Sequence, residues 1–261
     1  MKRLILICTT FLMMFVSSVS AAQKLTIADV TSSKFAPKVV SGINPIEGTD
    51  TYARISDDGK RIVTYSFKTG RELSVLFDVN NTMGEKIKSF DGYTMSPDGT
   101  RMLIQTKTNY IYRRSYTAVH YIYTIASRKL ERLSDGGPQQ VPTWSADGQQ
   151  VAFVREGNIF LVKLLYDNAE IQVTKDGKFN EVINGIPDWV NEEEFGFNRA
   201  LTFNADGTML CWIRYDESKV KTYSLQMYKG MRPEHSEYTD YPGFYSYKYP
   251  KAGQDNSVVT A

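Results

Sequence analysis

Apolar and polar positions in this chain alternate over short stretches. Downstream of the N-terminal segment they never sustain a helical period of three to four residues. Four phrases organise the pattern: Ser56-Asp57-Asp58-Gly59, Ser96-Pro97-Asp98-Gly99, Ser145-Ala146-Asp147-Gly148 and Asn204-Ala205-Asp206-Gly207. Each precedes an apolar, β-favouring run, at 61–65, 102–104, 151–154 and 209–213. Asp-Gly between two such runs predicts a hairpin, because glycine takes φ > 0 without a steric cost. The four glycines are 40, 49 and 59 residues apart. That spacing, with several short strands per unit, is the mark of β-propeller blades.

Further strands are predicted over 110–116, 120–124 and 158–162, with turns at 127–129 and 135–138. One insertion, 184–195, breaks the pattern, and Pro187-Asp188 predicts the start of a short helix there. The chain ends in strand-like Ser257-Val258-Val259-Thr260-Ala261. The fold class expected is all-β. It is a β-propeller of about four unequal blades, part of a larger ring, with a short helical insertion carrying an acidic motif.

The N-terminal segment differs. Lys2 and Arg3 precede an apolar run over 4–16 and then small residues at Ser20 and Ala22. The run is shorter than the roughly 18–20 apolar residues of a membrane span, and the pattern is that of a secretory signal cleaved after Ala22, with Val19/Ala21 as a second choice. The expected organisation is a signal peptide over 1–22, a lead-in over 23–50 and the partial propeller over 51–261. The protein is expected to be exported, periplasmic or extracellular and of bacterial type, with no stable membrane anchor after cleavage.

Composition narrows the function. A 42% hydrophobic and 23% charged chain buries a core, and 17 Tyr with 13 Phe favour strands. A net charge of +2 is too balanced for a nucleic-acid surface. Without the leader, Cys211 is the one cysteine, so no internal disulfide forms, and its place in 209–213 reads as a small buried hydrophobe. No G-x-S-x-G elbow, phosphate-cradling loop or metal spacing is present. His120 sits in a strand pattern, packed or at an edge, and His235 in a polar loop. Neither a catalytic residue, a metal nor a cofactor is expected.

The informative stretch is Asp188-Trp189-Val190-Asn191-Glu192-Glu193-Glu194. Three successive carboxylates usually form a solvated helix face. Turned toward one pocket they would instead trap a cation, and a peptide α-ammonium, protonated below about pH 8 and carrying three donors, fits. Arg113 either packs its stem on the neighbouring tyrosines or presents its guanidinium to a substrate carbonyl.

The acidic stretch resembles the D-W-[VL]-Y-E-E-E motif of the dipeptidyl peptidase IV family of serine exopeptidases. Arg113-Arg114-Ser115-Tyr116-Thr117-Ala118 resembles that family's R-H-S-Y-T-A, and Tyr249-Pro250-Lys251-Ala252-Gly253 its Y-P-K-A-G. All three occur in the family's order, and the resemblance covers most of 35–261. Asn191 stands where the motif has Tyr, and Arg114 where mammalian members have His. The resemblance implies an eight-bladed propeller capping an α/β-hydrolase domain that holds the Ser-Asp-His triad. It implies release of N-terminal dipeptides with Pro or Ala second, and a homodimer of the full-length protein. Glu193 and Glu194 match the family's amine-binding pair, and Arg113 its carbonyl-binding arginine. The chain is expected to be truncated before the hydrolase domain and inactive alone. The alternative is an exported propeller that binds or scaffolds without a peptidase role, in which the acidic insertion has no purpose.

Overall fold

A computed structural model describes residues 24–37, 39–228 and 241–261, so the expected signal peptide and His235 lie outside the described residues. The chain forms two compact units, 1–41 and 42–261. In the first, helix α1 (Ile27–Thr31) is closed by a capping box: Thr26 Oγ1 accepts from Asp29 N, and Asp29 accepts from Thr26 N. No residue of this helix is buried.

The second unit is built of sheets. Strands β1 (Asn44–Pro45), β2 (Thr51–Ile55), β3 (Arg61–Ser66) and β4 (Glu72–Asp78) form an antiparallel meander, which begins inside the expected lead-in. β6 (Gly92–Met95), β7 (Arg101–Tyr110), β8 (Tyr116–Thr124) and β9 (Lys129–Arg132) form the next, and β5 (Met83–Gly84) adds to β9 in parallel. β10 (Gln140–Trp144), β11 (Gln150–Arg155), β12 (Asn158–Lys163) and β13 (Ala169–Gln172) form a third.

These sheets stack face to face. On β7, Met102 and Ile104 enter a core with Ile62, Phe77 and Phe90, whereas Leu103 between them enters another with Val151, Phe153 and Trp144. On β11, Ala152 and Val154 face a third cluster with Ile159 and Leu201. Successive side chains point to opposite faces of a strand, so a middle sheet buried on both sides is apolar at every position.

The fourth sheet is a broken meander. β14 (Val182–Asn184) pairs with β17 (Arg214–Asp216), and β15 (Leu201–Phe203) pairs with β16 (Leu210–Trp212). Since 210–216 runs on almost without interruption, β14 and β15 are one strand split by an excursion over 185–200. Gly185 N donates to Ile213 O, Ile213 N to Ala200 O, and Ala200 N to Gly185 O, stitching the break. Gly185 has φ +76°, and a Cβ there would lie 2.9 Å from Leu201 Cδ2. β18 (Thr222–Met227) and β19 (Gly243–Lys248) form a hairpin, and β20 (Val258–Thr260) adds to β17.

The Asp-Gly phrases are the predicted turns, with φ near +70° at each glycine. Ser96 Oγ donates to Asp98 Oδ1 at 2.6 Å and accepts from Arg101 N at 2.9 Å. Ser56 and Ser145 repeat this, and Asn204 Oδ1 replaces the hydroxyl by accepting from Met209 N. Turns of successive sheets also touch: Arg101 Nη1 donates to Gly148 O, and Gln150 Nε2 to Gly207 O.

Two expectations need correction. Residues 111–115 are not strand but the tip between β7 and β8, because their N–H groups turn to Ser115 O and to a carboxylate from another sheet rather than to a neighbouring strand. Cys211 is exposed. On β16 it points away from the core that Leu210 and Trp212 pack against, and among the described residues β16 pairs with β15 alone.

Candidate functional site

The excursion over 185–200 carries helix α2 (Trp189–Phe195). Its ends are determined locally. Asp188 is the N-cap, its Oδ1 accepting from Asn191 N at 2.9 Å and Asn191 Nδ2 at 2.8 Å. Asn191, the departure from the family motif, therefore reinforces the cap. Gly196, at φ +73°, ends the helix and donates to Glu192 O. The second Asp188 oxygen accepts from Ser257 Oγ, which ties the helix to the segment before β20.

Consecutive positions on so short a helix point in different directions, and the three glutamates separate. Glu192 is 0% exposed. Its Oε1 accepts from Arg114 N at 2.7 Å and Ser115 N at 2.9 Å, so its carboxylate pins the β7–β8 tip. Asn198 Nδ2 holds Arg114 O at 2.9 Å, and Arg114 Nη1 reaches Glu192 O. Charge-assisted hydrogen bonds replace the hydration of Oε1, whereas Oε2 is buried with no hydrogen-bond partner among the described residues.

That clamp brings Arg113 to the next carboxylate, with Arg113 Nε 3.3 Å from Glu193 Oε2. The arginine side chain is 73% exposed and the glutamate 19%. Both line a cavity of about 410 Å³ with Tyr112, Trp189, Tyr245 and Tyr247. Glu194 is exposed and lies outside this lining. The structure thus brings Arg113 and Glu193 together and leaves Glu194 on the adjacent surface.

The aromatic wall was not legible as part of a site. Trp189 packs on Tyr249, with centroids 4.4 Å apart, and on Tyr247 at 5.9 Å, which in turn meets Tyr112 at 5.9 Å. The density of tyrosine over 223–249 was the available signal. Burial pushes the Tyr112 hydroxyl well above the usual tyrosine range. Nearby, burial and the Asp188 charge push Glu217 up to about 7, against the pull of Lys248. His120 is buried against Gln139, and burial lowers it to about 4, so it is a neutral packing residue at physiological pH. No cluster of three or more metal-ligating groups occurs among the described residues.

The family model for the dipeptidyl peptidase IV (DPP IV) N-terminal region matches residues 96–261. The chain belongs to this family. Prolyl endopeptidase FAP of Homo sapiens is 30% identical over 93% of the chain, which covers 30% of that protein. Probable dipeptidyl-aminopeptidase B of Podospora anserina is 35% identical over 67% of the chain, covering 20% of that protein. The crystal structure of Porphyromonas gingivalis dipeptidyl peptidase 4 superposes with a TM-score of 0.83 at 36% identity, over 91% of this chain and 33% of that one. The chain therefore spans about a third or less of the relatives it matches.

Proposed function

We propose that this chain is the substrate-recognition propeller portion of an exported dipeptidyl peptidase IV-like exopeptidase. In this reading the sheets are blades of an eight-bladed ring. Glu193 and Glu194 receive the protonated α-amine of a peptide, and Arg113 takes a substrate carbonyl. N-terminal dipeptides with Pro or Ala second are released by a hydrolase domain outside these residues. The observation that carries it is the Glu193–Arg113 pair at a cavity rim, held by Glu192. An exposed ion pair contributes little to stability, so burying Glu192 to hold such a pair in place has its use in binding. Residues 1–22 serve as the export signal, and the full-length enzyme acts as a homodimer.

The test uses the full-length enzyme on a dipeptide amide with a free amine and on its N-acetylated analogue. Glu193→Gln and Glu194→Gln should each lower kcat/KM on the free amine by about ten- to a hundredfold. Neither should matter on the acetylated analogue. Equal turnover of both substrates by the unmodified enzyme would sink the proposal.

A further inference from the structure

A second cavity, of about 270 Å³, shares Tyr112 and Trp189 with the first but neither Arg113 nor Glu193. Its volume lies just under the roughly 300 Å³ at which drug-sized ligand pockets begin, so it suits a small ligand. Phe179, Ile183, Ile186 and Pro187 supply apolar walls. The polar groups gather among them. Glu217 is 5% exposed, Asp188 6% and Ser115 7%. Ser115 Oγ is buried and makes no hydrogen bond among the described residues, although its own N–H is used by Glu192. A buried hydroxyl left unsatisfied is costly, so the site is built for something more than these side chains.

The charge balance says what. Three carboxylates, Asp188, Glu217 and Glu156, line the cavity against one cation, Lys178. Lys178 is already paired with Glu181. Lys248, which acts on Glu217, gives its ammonium to Ser218 O and Val220 O. Asp188 Oδ1 accepts twice, from Asn191 N and Asn191 Nδ2, whereas Oδ2 accepts from Ser257 Oγ and keeps a second lone pair for a ligand. No three acid or imidazole groups gather at metal distances among the described residues, so the walls favour an organic cation over a bare ion.

We propose that this cavity binds an alkylammonium group, its nitrogen among Glu217, Asp188 and Ser115 Oγ and its stem along Phe179, Ile183 and Ile186. The ligand is a free small amine or the side chain of a peptide lysine. This site is separate from the one proposed for the peptide α-amine. Occupancy fixes Asp188, the N-cap of α2, and so reaches the helix that carries Glu193.

The test is calorimetric titration of the full chain with n-pentylammonium, n-pentanol and Nα-acetyl-lysine amide. Pentylammonium should bind at least about tenfold more tightly than pentanol, the measure of one charge-assisted hydrogen bond. Binding should strengthen between pH 6 and pH 8 as Glu217 ionises; the charged groups facing it are Asp188, Glu156, Lys178 and Lys248. Binding of pentylammonium alone assigns the site to free amines; binding of acetyl-lysine amide as well opens it to lysine side chains. Glu217→Gln should weaken binding about tenfold or more, and Ser115→Ala several-fold, each in protein whose circular dichroism matches the parent. Equal affinity for pentanol, no binding of either ammonium, or a loss seen with Glu193→Gln and not with Glu217→Gln would overturn the proposal. The last result would place the ammonium at the α-amine site instead, so the two readings fail separately.

Discussion

Glu192 and Arg114 lie 78 residues apart, yet the Glu192 carboxylate accepts the Arg114 backbone N–H at 2.7 Å. This contact ties a helix inserted into the fourth sheet to the tip of the second. It makes the first of the three glutamates a support and leaves Glu193 facing Arg113. Replacing Glu192 with Ala strands the N–H groups of Arg114 and Ser115. We predict a loss of about 2–3 kcal/mol, read by urea denaturation, and faster amide exchange at both residues. Unchanged exchange there would show that the tip is held by other contacts.

Arg113→Ala should behave in the opposite way. Its own side chain is largely exposed, so stability should change by less than about 1 kcal/mol. Activity of the full-length enzyme on free-amine substrates should fall by about tenfold or more. A melt shifted as far as that of Glu192→Ala would mean that Arg113 is structural.

Gly185 stands where the fourth sheet's strand leaves its partner. At φ +76°, with Leu201, Val154 and Ile159 side chains within 2.9–3.2 Å of any added Cβ, it has no room for one. Gly185→Ala is expected to cost about 1–3 kcal/mol from backbone strain and overpacking. Gly99→Ala, with open space around it, should cost only the backbone part.

Two pH windows follow from the carboxyl groups. Hydrogen bonds from Ser56 and Ser145 hold Asp58 and Asp147 below the ordinary aspartate range, and Thr208 does the same for Asp206. Their contribution is fully present above the ordinary pKa of 3.8 and is lost as pH falls through the lowered values. Asp147→Asn should therefore flatten stability against pH below about pH 4. Glu217 has the reverse sign. Raised from 4.5 to about 7, it favours the folded state most fully below 4.5, and that contribution fades as pH rises through 7. Glu217→Gln should remove this decline, worth up to about 3 kcal/mol, in denaturation midpoints compared at pH 5 and pH 8. A decline that survives the substitution would assign it to another group.

Cys211 is exposed on β16. In folded protein lacking residues 1–22, one thiol should react with a disulfide reagent without denaturant, and Cys211→Ser should abolish the reaction.

Much was settled locally. The four Asp-Gly turns form because glycine admits φ near +70° and a serine or asparagine three residues earlier bonds across the turn. Helix α2 begins at Asp188 because that side chain caps it, and ends at Gly196 because glycine tolerates the left-handed exit. The motifs around Glu193 and Arg113 carried the family resemblance. What the tertiary structure decided is which way each side chain faces. Periodicity cannot rank three adjacent glutamates; Glu192 turns inward because unpaired N–H groups from a distant tip await it. The 110–116 run has the β-rich composition of a strand, yet its middle is a tip, because its donors find that carboxylate instead of a strand partner. Cys211 lies in an apolar run, but burial on a strand is settled by which alternate face meets a neighbouring sheet, and its face meets none among the described residues.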